Sequence, residues 1–344
     1  MVGVESIPVE LLLAALAGGA FGAAVGALPA FTLTGLLVVV GESYAIVGRS
    51  VEGLPALDIT GAIAFGPVFG PHVSFAGGAA AIAYAAKHDY FDTDFEYHPA
   101  KEVTRGLGAR WELLAVGAVF GLVGELVFLL AGSWGLGLPL DAVAVGVVGS
   151  ALAHRMALGY SVVGQFRGSI LDMKPDERET EMAADGGYAV EPWLPYQYQW
   201  KNVAVLGLVV GALGGYVAYL TASAFLAFGI SVVLLVYVNA GVADIPVTHH
   251  MTLPASAGVL GLAAGSAETL THETVAAAMS MPTALAVGAV LGLAGGLVGE
   301  LAQRVLYAHA ETHLDPPAAS IAVTSLALSL LAIGGLLPET VWLT

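Results

Sequence analysis

Gly121-Leu122-Val123-Gly124-Glu125-Leu126 recurs without a change as Gly296-Leu297-Val298-Gly299-Glu300-Leu301. Each copy lies inside a long apolar run and places a single acid at its heart. An ionisable side chain in hydrocarbon is costly, so it is rare unless it is paired or used. The same costly residue in the same frame, twice in one chain, predicts a duplicated membrane unit with a paired internal site.

Outward from these frames, the apolar runs that hold them extend over Trp111 to about Leu130 and about Thr283 to Leu306. Other runs also reach the ~20 apolar residues that a helix needs to cross a bilayer. The chain has 344 residues, 57% of them hydrophobic and 11% charged, and its mean hydropathy is +0.82. A soluble protein carries roughly 25% charged residues. The expected fold class is therefore all-α: a polytopic membrane protein with about ten transmembrane helices. A barrel would alternate apolar and polar residues, which these runs do not.

Two kinds of interruption shape the expected helices. Residues 9–47 are apolar for nearly twice a normal span, and Pro29 interrupts them, so a tight helical hairpin is expected, with Glu42 near its end. Ile59 to Lys87 is also too long for one upright helix. Its middle reads Gly66-Pro67-Val68-Phe69-Gly70-Pro71-His72-Val73-Ser74, and the two prolines remove backbone donors and break a straight helix. Such a break is tolerated at membrane depth where the freed backbone faces protein or a water-filled cavity. Pro71 suits the first position of a new half-helix, with His72 and Ser74 by its positive end. A second polar interruption, 244–254, carries His249, His250, Thr252 and Pro254.

The halves match in order. Gly19-Ala20-Phe21-Gly22 pairs with Gly211-Ala212-Leu213-Gly214, Ala30-Phe31 with Ala224-Phe225, and Asp58-Ile59 with Asp244-Ile245. The segment of His72 and Ser74 pairs with that of His250 and Thr252, Glu125 with Glu300, and Leu140-Asp141 with Leu314-Asp315. Matches in one order indicate duplication: a first repeat at 1–160, a cytoplasmic linker at 161–200 and a second repeat at 201–344. An odd number of spans per repeat inverts the second across the membrane, the layout of transporters with a midplane site and broken helices. With the N-terminus outside, loops 87–110 and 155–201 fall inside together with Arg304. Of the 11 Lys and Arg residues only Arg49 then lies outside. Both termini are expected to be extracellular on a multi-pass protein of the cell membrane, and Met1 to Glu10, with no basic residue, is not expected to be a cleaved signal.

The candidate pathway residues are Glu125, Glu300, His72, Ser74, His250 and Thr252. Glu125 has no basic residue within a turn, which suits proton or cation binding, against the plainer alternative of a protonated acid bonded to a neighbouring helix. Glu300 has Arg304 one turn on, so an ion pair explains it alone. The histidines and hydroxyls would donate to an anion or relay protons, or else cap freed backbone. Asp141 and Asp315 read as helix caps. His249-His250 and the pair His309/His313 lack a third ligand at recognisable spacing, so no metal is expected. Cysteine is absent, and no catalytic or cofactor motif is present, so neither enzyme activity nor a cofactor is expected.

The balance of 27 Asp+Glu against 11 Lys+Arg, net charge −16, argues against nucleic acid. An acidic, lysine-poor membrane chain of this kind resembles an uncharacterised haloarchaeal multi-spanning family. The layout resembles inverted-repeat transporters and channels, including the five-plus-five plan of urea-transporter-like channels. That resemblance implies a transporter or channel for a small solute or ion, with its pathway between the repeats; the buried glutamates themselves suggest proton or cation coupling. The alternative is a non-transporting structural or assembly protein. The expected partners are the lipid bilayer and the solute or ion, and the Gly-rich faces suit a homo-oligomer.

Overall fold

The computed structural model describes residues 7–95, 97–132, 135–165, 169–173, 190–242, 244–264 and 270–342. Most of the expected linker, 174–189, lies outside the described residues. Among the described residues there are 12 α-helices and no strand. In chain order they are α1 (Val9–Val25), α2 (Ala27–Gly48), α3 (Ser74–Lys87), α4 (Trp111–Ala131), α5 (Ala142–Leu158) and α6 (Trp200–Thr221). There follow α7 (Leu226–Val233), α8 (Leu235–Asn239), α9 (His249–Ala263), α10 (His272–Ala278), α11 (Met281–Ala302) and α12 (Pro316–Ile333). α10 is started by a reciprocal cap between Thr271 and Thr274.

Among the described residues five stretches are long and apolar enough to cross a membrane: Ala27–Gly48, Trp111–Ala131, Trp200–Thr221, Met281–Tyr307 and Pro316–Ile333. Their polarity is arranged inside out. Val119 and Leu130 of α4, Leu213 of α6 and Val290 of α11 face outward, whereas Gly117, Gly121, Gly124 and Glu125 of α4 face inward. A surface of large aliphatics over an interior of glycines and polar groups suits lipid and would be a liability in water.

The packing of the first five helices recurs later. α1 lies on α3 and α4 as α6 lies on α9 and α11, and α5 leans on α4 as α12 leans on α11. Small residues permit this approach. A Cβ on Gly121 would lie 2.6 Å from the Gly19 Cα. One on Gly211 would lie 2.7 Å from the Gly292 Cα. Between the two groups, α2 meets α7 and α5 meets α12.

The first interruption falls at Gly26, not at Pro29. Gly26 adopts φ 103°, which only glycine takes readily. Pro29 sits in the first turn of α2, where a missing N–H leaves nothing unpaired. The loop after α3 completes both helix ends: the N–H groups of Leu107 and Gly108 donate to Ala23 and Ala24, and that of Leu28 donates to Val103. α1 and α2 then part company, one to α3 and α4 and the other to α7.

The proline-rich break is present between 65 and 73, after a π-helical turn at Ile59–Ala64. α3 begins at Ser74, so Pro71 belongs to the turn before it. Carbonyls freed by the break are taken up by hydroxyls: Thr34 Oγ1 donates to Phe69 at 2.6 Å, and Ser74 Oγ donates to Phe69 and Gly70 at 3.2 and 3.3 Å. In the later segment the break ends before His249, and Pro254 is carried inside α9. Gln197 clamps the extended approach, donating to the Val247 carbonyl and accepting from its N–H.

Candidate functional site

The broken segment places His72 against α4. His72 Nε2 lies 2.9 Å from Glu125 Oε2, both groups are buried, and among the described residues no other side chain bonds this carboxylate. The Phe128 ring stacks on the imidazole at 4.6 Å. Gly124 lets the backbones meet, since any Cβ there would overlap the His72 carbonyl oxygen. His72 Nδ1 has no partner, so the proton sits best on Nε2, donated to the acid.

The second copy of the frame is built otherwise. Arg304 Nε donates to Glu300 Oε1 at 2.6 Å, and its other nitrogens reach the carbonyls of Leu171 and Tyr198. Gln303 donates to Glu300 Oε2 and accepts from the Trp193 N–H at 2.6 Å. A π-helical turn at Gln303–Tyr307 aims both side chains at the chain entering from the linker. His250 lies beside Glu300 but does not bond it. Between them, bounded also by Trp193 and Gln303, is a void of about 10 Å³, room for one water.

Ser74 and Thr252 both hydrogen-bond nearby carbonyls, Thr252 Oγ1 donating to His249 at 3.1 Å. The six expected residues thus form two separate groups, one in each half. None of them lines either of the two larger cavities.

Those cavities adjoin. The inner one, about 210 Å³, has walls that include Phe31, Phe65, Phe75, Phe128, Phe225 and Phe228, with Asp141 and Asp315 as its carboxylates. The outer one, about 470 Å³, is more polar and includes Asp94, Lys101, Glu102 and His313. Phe31, His249 and Asp315 belong to both and form the junction. There the His249 ring is wedged between Phe31 at 5.1 Å and Phe228 at 5.6 Å, and its Nδ1 has no partner.

Both aspartates cap helices. Asp141 accepts from the Ala144 N–H and Asp315 from the Ala318 N–H, each at 2.8 Å. Asp141 also accepts from Trp342 Nε1 at 3.2 Å, and its own N–H donates to Ser325 Oγ in the middle of α12. In the outer cavity Lys101 pairs with the buried Glu191 at 2.6 Å and lies over the Tyr307 ring at 4.3 Å. Burial pulls the Lys101 ammonium down to about 8, with Glu191 opposing.

Sequence reasoning missed the junction and the aromatic walls, although traces were present. Phe31 with Phe225, and Asp141 with Asp315, are pairs that the two halves match in order, and all four residues line the inner cavity. The spacing that relates His72 to His250 also relates Pro71 to His249 and Phe75 to Leu253, again all lining residues. The buried acids drew attention because they are rare, whereas phenylalanines in an apolar chain carry no such mark. Among the described residues no cluster of His, Asp and Glu has the form of a metal site.

The chain belongs to a family of unknown function, DUF7973, whose model matches residues 1–344. No curated protein matches it, and no solved structure does.

Proposed function

We propose that the protein is a membrane transporter or channel for a small solute or ion, built from two inverted repeats and conducting through the paired cavities. One observation carries the reading: the inner cavity lies where the halves meet, walled by residues that the repeat relates, and adjoins a polar antechamber with which it shares Phe31, His249 and Asp315.

The side-to-side contacts support the inverted layout. Arg49 donates to the Thr221 and Ala222 carbonyls, and Trp342 donates to Asp141, tying loops that the reading places outside. Lys87 donates to the Leu158 carbonyl, Arg155 to Thr312, and Lys101 pairs with Glu191, tying loops that it places inside. The long spans, the shorter apolar helices Val9–Val25, Ala142–Leu158 and Leu226–Asn239, and the two broken segments together supply the crossings required. Glu125 and Glu300 are the groups through which protons or cations would couple to movement.

The test is flux into proteoliposomes for a panel of small neutral solutes and monovalent cations. Flux above protein-free vesicles is expected. Phe31→Trp should cut it several-fold by filling the junction, and Glu125→Gln should remove its dependence on pH or cations. A folded protein that passes nothing defeats the proposal. The alternative, a structural or assembly protein, draws on one specific observation: Glu125 is bonded by His72, and Glu300 is bonded at both oxygens by Gln303 and Arg304, as structural acids would be.

A further inference from the structure

The inner cavity has a chemistry of its own. Six phenylalanines line it, and the rings of five of them, all but Phe128, form one chain of contacts, with Phe65 lying 5.9 Å from Phe228. Phe31 lies 6.0 Å from Phe75 and 6.2 Å from Phe228, and Phe65 lies 5.4 Å from Phe225. Among the described residues no lysine or arginine lines it, and its carboxylates are Asp141 and Asp315. A solute with many hydrogen-bonding groups would leave them unpaired against phenyl walls. An anion would meet two carboxylates and no basic partner. A hard cation such as sodium needs a shell of oxygens, while one oxygen of each aspartate caps a helix, the other Asp141 oxygen accepts from Trp342, and the other Asp315 oxygen faces His313 Nε2 at 3.5 Å.

A cation with diffuse charge meets none of these objections. Phenyl faces attract it through their quadrupoles, and the carboxylates supply the long-range field. The approach is also acidic, since Asp94 and Asp315 line the antechamber while its Lys101 is paired by Glu191 and its Glu102 by Arg105. Independent of the acids, His249 is 98% buried at the junction, where its relative exposure is 2%, and its Nδ1 has no partner. An unpaired polar atom at such a place is explained by a group that is bound there in use.

We propose that the inner cavity binds a small alkylammonium cation, held by the phenylalanine walls and the field of Asp315, with His249 at its threshold. This rests on the transport reading for its purpose but not for its test. Binding is measured on the purified full chain in detergent, by titration calorimetry and by the shift in melting temperature, with tetramethylammonium and choline as probes. The neutral isostere of choline, 3,3-dimethyl-1-butanol, is the control.

The expected result is saturable binding of both cations and none of the alcohol. Phe228→Leu and Asp315→Asn should each weaken it by about tenfold or more. Asn still caps a helix, so the second variant should fold. Equal binding of the alcohol, or cation binding untouched by both variants, overturns the proposal, as does the absence of any cation binding to folded protein. Cation binding without flux in vesicles defeats the transport reading alone. Flux of another solute without cation binding defeats only this inference.

Discussion

Two identical six-residue frames sit in different electrostatic surroundings. Glu125 is met by an imidazole from another segment, with the Phe128 ring alongside. Glu300 is met by Gln303 and Arg304 of its own chain segment, within one turn. The positions that follow the acids explain the difference: Phe128-Leu129 after the first, Gln303-Arg304 after the second. Phe128 turns the first frame towards the inner cavity, while Gln303 and Arg304 fasten the second to Leu171, Trp193 and Tyr198. A duplicated motif therefore fixes where an acid is buried, and its neighbours decide whether the next turn of the helix lines a chamber or holds a linker.

The contrast is broken most severely at Arg304. Arg304→Leu leaves the buried Glu300 carboxylate without a countercharge and strips donors from the Leu171 and Tyr198 carbonyls. Removing one member of a buried pair costs about 3–5 kcal/mol, whereas removing both is far milder. Thermal unfolding of the purified protein should show a large loss for Arg304→Leu and substantial recovery on adding Glu300→Leu. Glu125→Gln should cost about 1 kcal/mol, because the amide still accepts from His72. Equal losses from Arg304→Leu and Glu125→Gln would mean that the two frames are equivalent after all.

The sequence carried more of the fold than of the site. The long apolar runs, the Pro67/Pro71 break and the aspartate caps were legible because each rests on local chemistry: span length, a missing N–H, a short acceptor before a helix. The Gly26 break was read at Pro29 because a proline in a first turn looks like a breaker until the helix start is known. The partner of Glu125 was harder to see. His72 is 53 residues away, and only the fold brings the two together. The cavity was harder still, since Phe31, Phe75, Phe128 and Phe225 come from separate elements and show no spacing.

The glycines sharpen the comparison at smaller scale. A Cβ on Gly124 would collide with the His72 backbone carbonyl, which cannot yield without moving the broken segment. A Cβ on Gly299 would meet the end of the His250 ring, 2.7 Å from Cδ2, beside a void into which the ring can turn. Overpacking typically costs ~1–3 kcal/mol, and less where a side chain can move. Gly124→Ala should fall at or above the top of that range and Gly299→Ala near its bottom, read as the difference in melting temperature. The reverse order would mean that the first frame has the slack and the second is the rigid one.

The gentlest probe is the pH response of Lys101, which belongs with the second frame's linker contacts because Glu191 also donates its N–H to Ala308, just beyond the Gln303–Tyr307 turn. Burial lowers this ammonium to about 8 from its ordinary 10.5; Glu191 and Glu311 oppose that shift and Arg155 adds to it. Below about 8 the group is charged in both the folded and the unfolded chain, and the fold bears the full penalty of holding it. Between about 8 and 10.5 the unfolded chain binds more protons than the folded one, so stability from this group rises with pH. The double variant Lys101→Met with Glu191→Gln removes the titration and keeps an acceptor for the His98 N–H that Glu191 now bonds. Melting temperatures from pH 7.5 to 10 should therefore climb for the native chain relative to this variant. Parallel curves would show that the pair is held by hydration rather than by burial. A falling native curve would assign the ion pair, rather than its desolvation, as the larger effect.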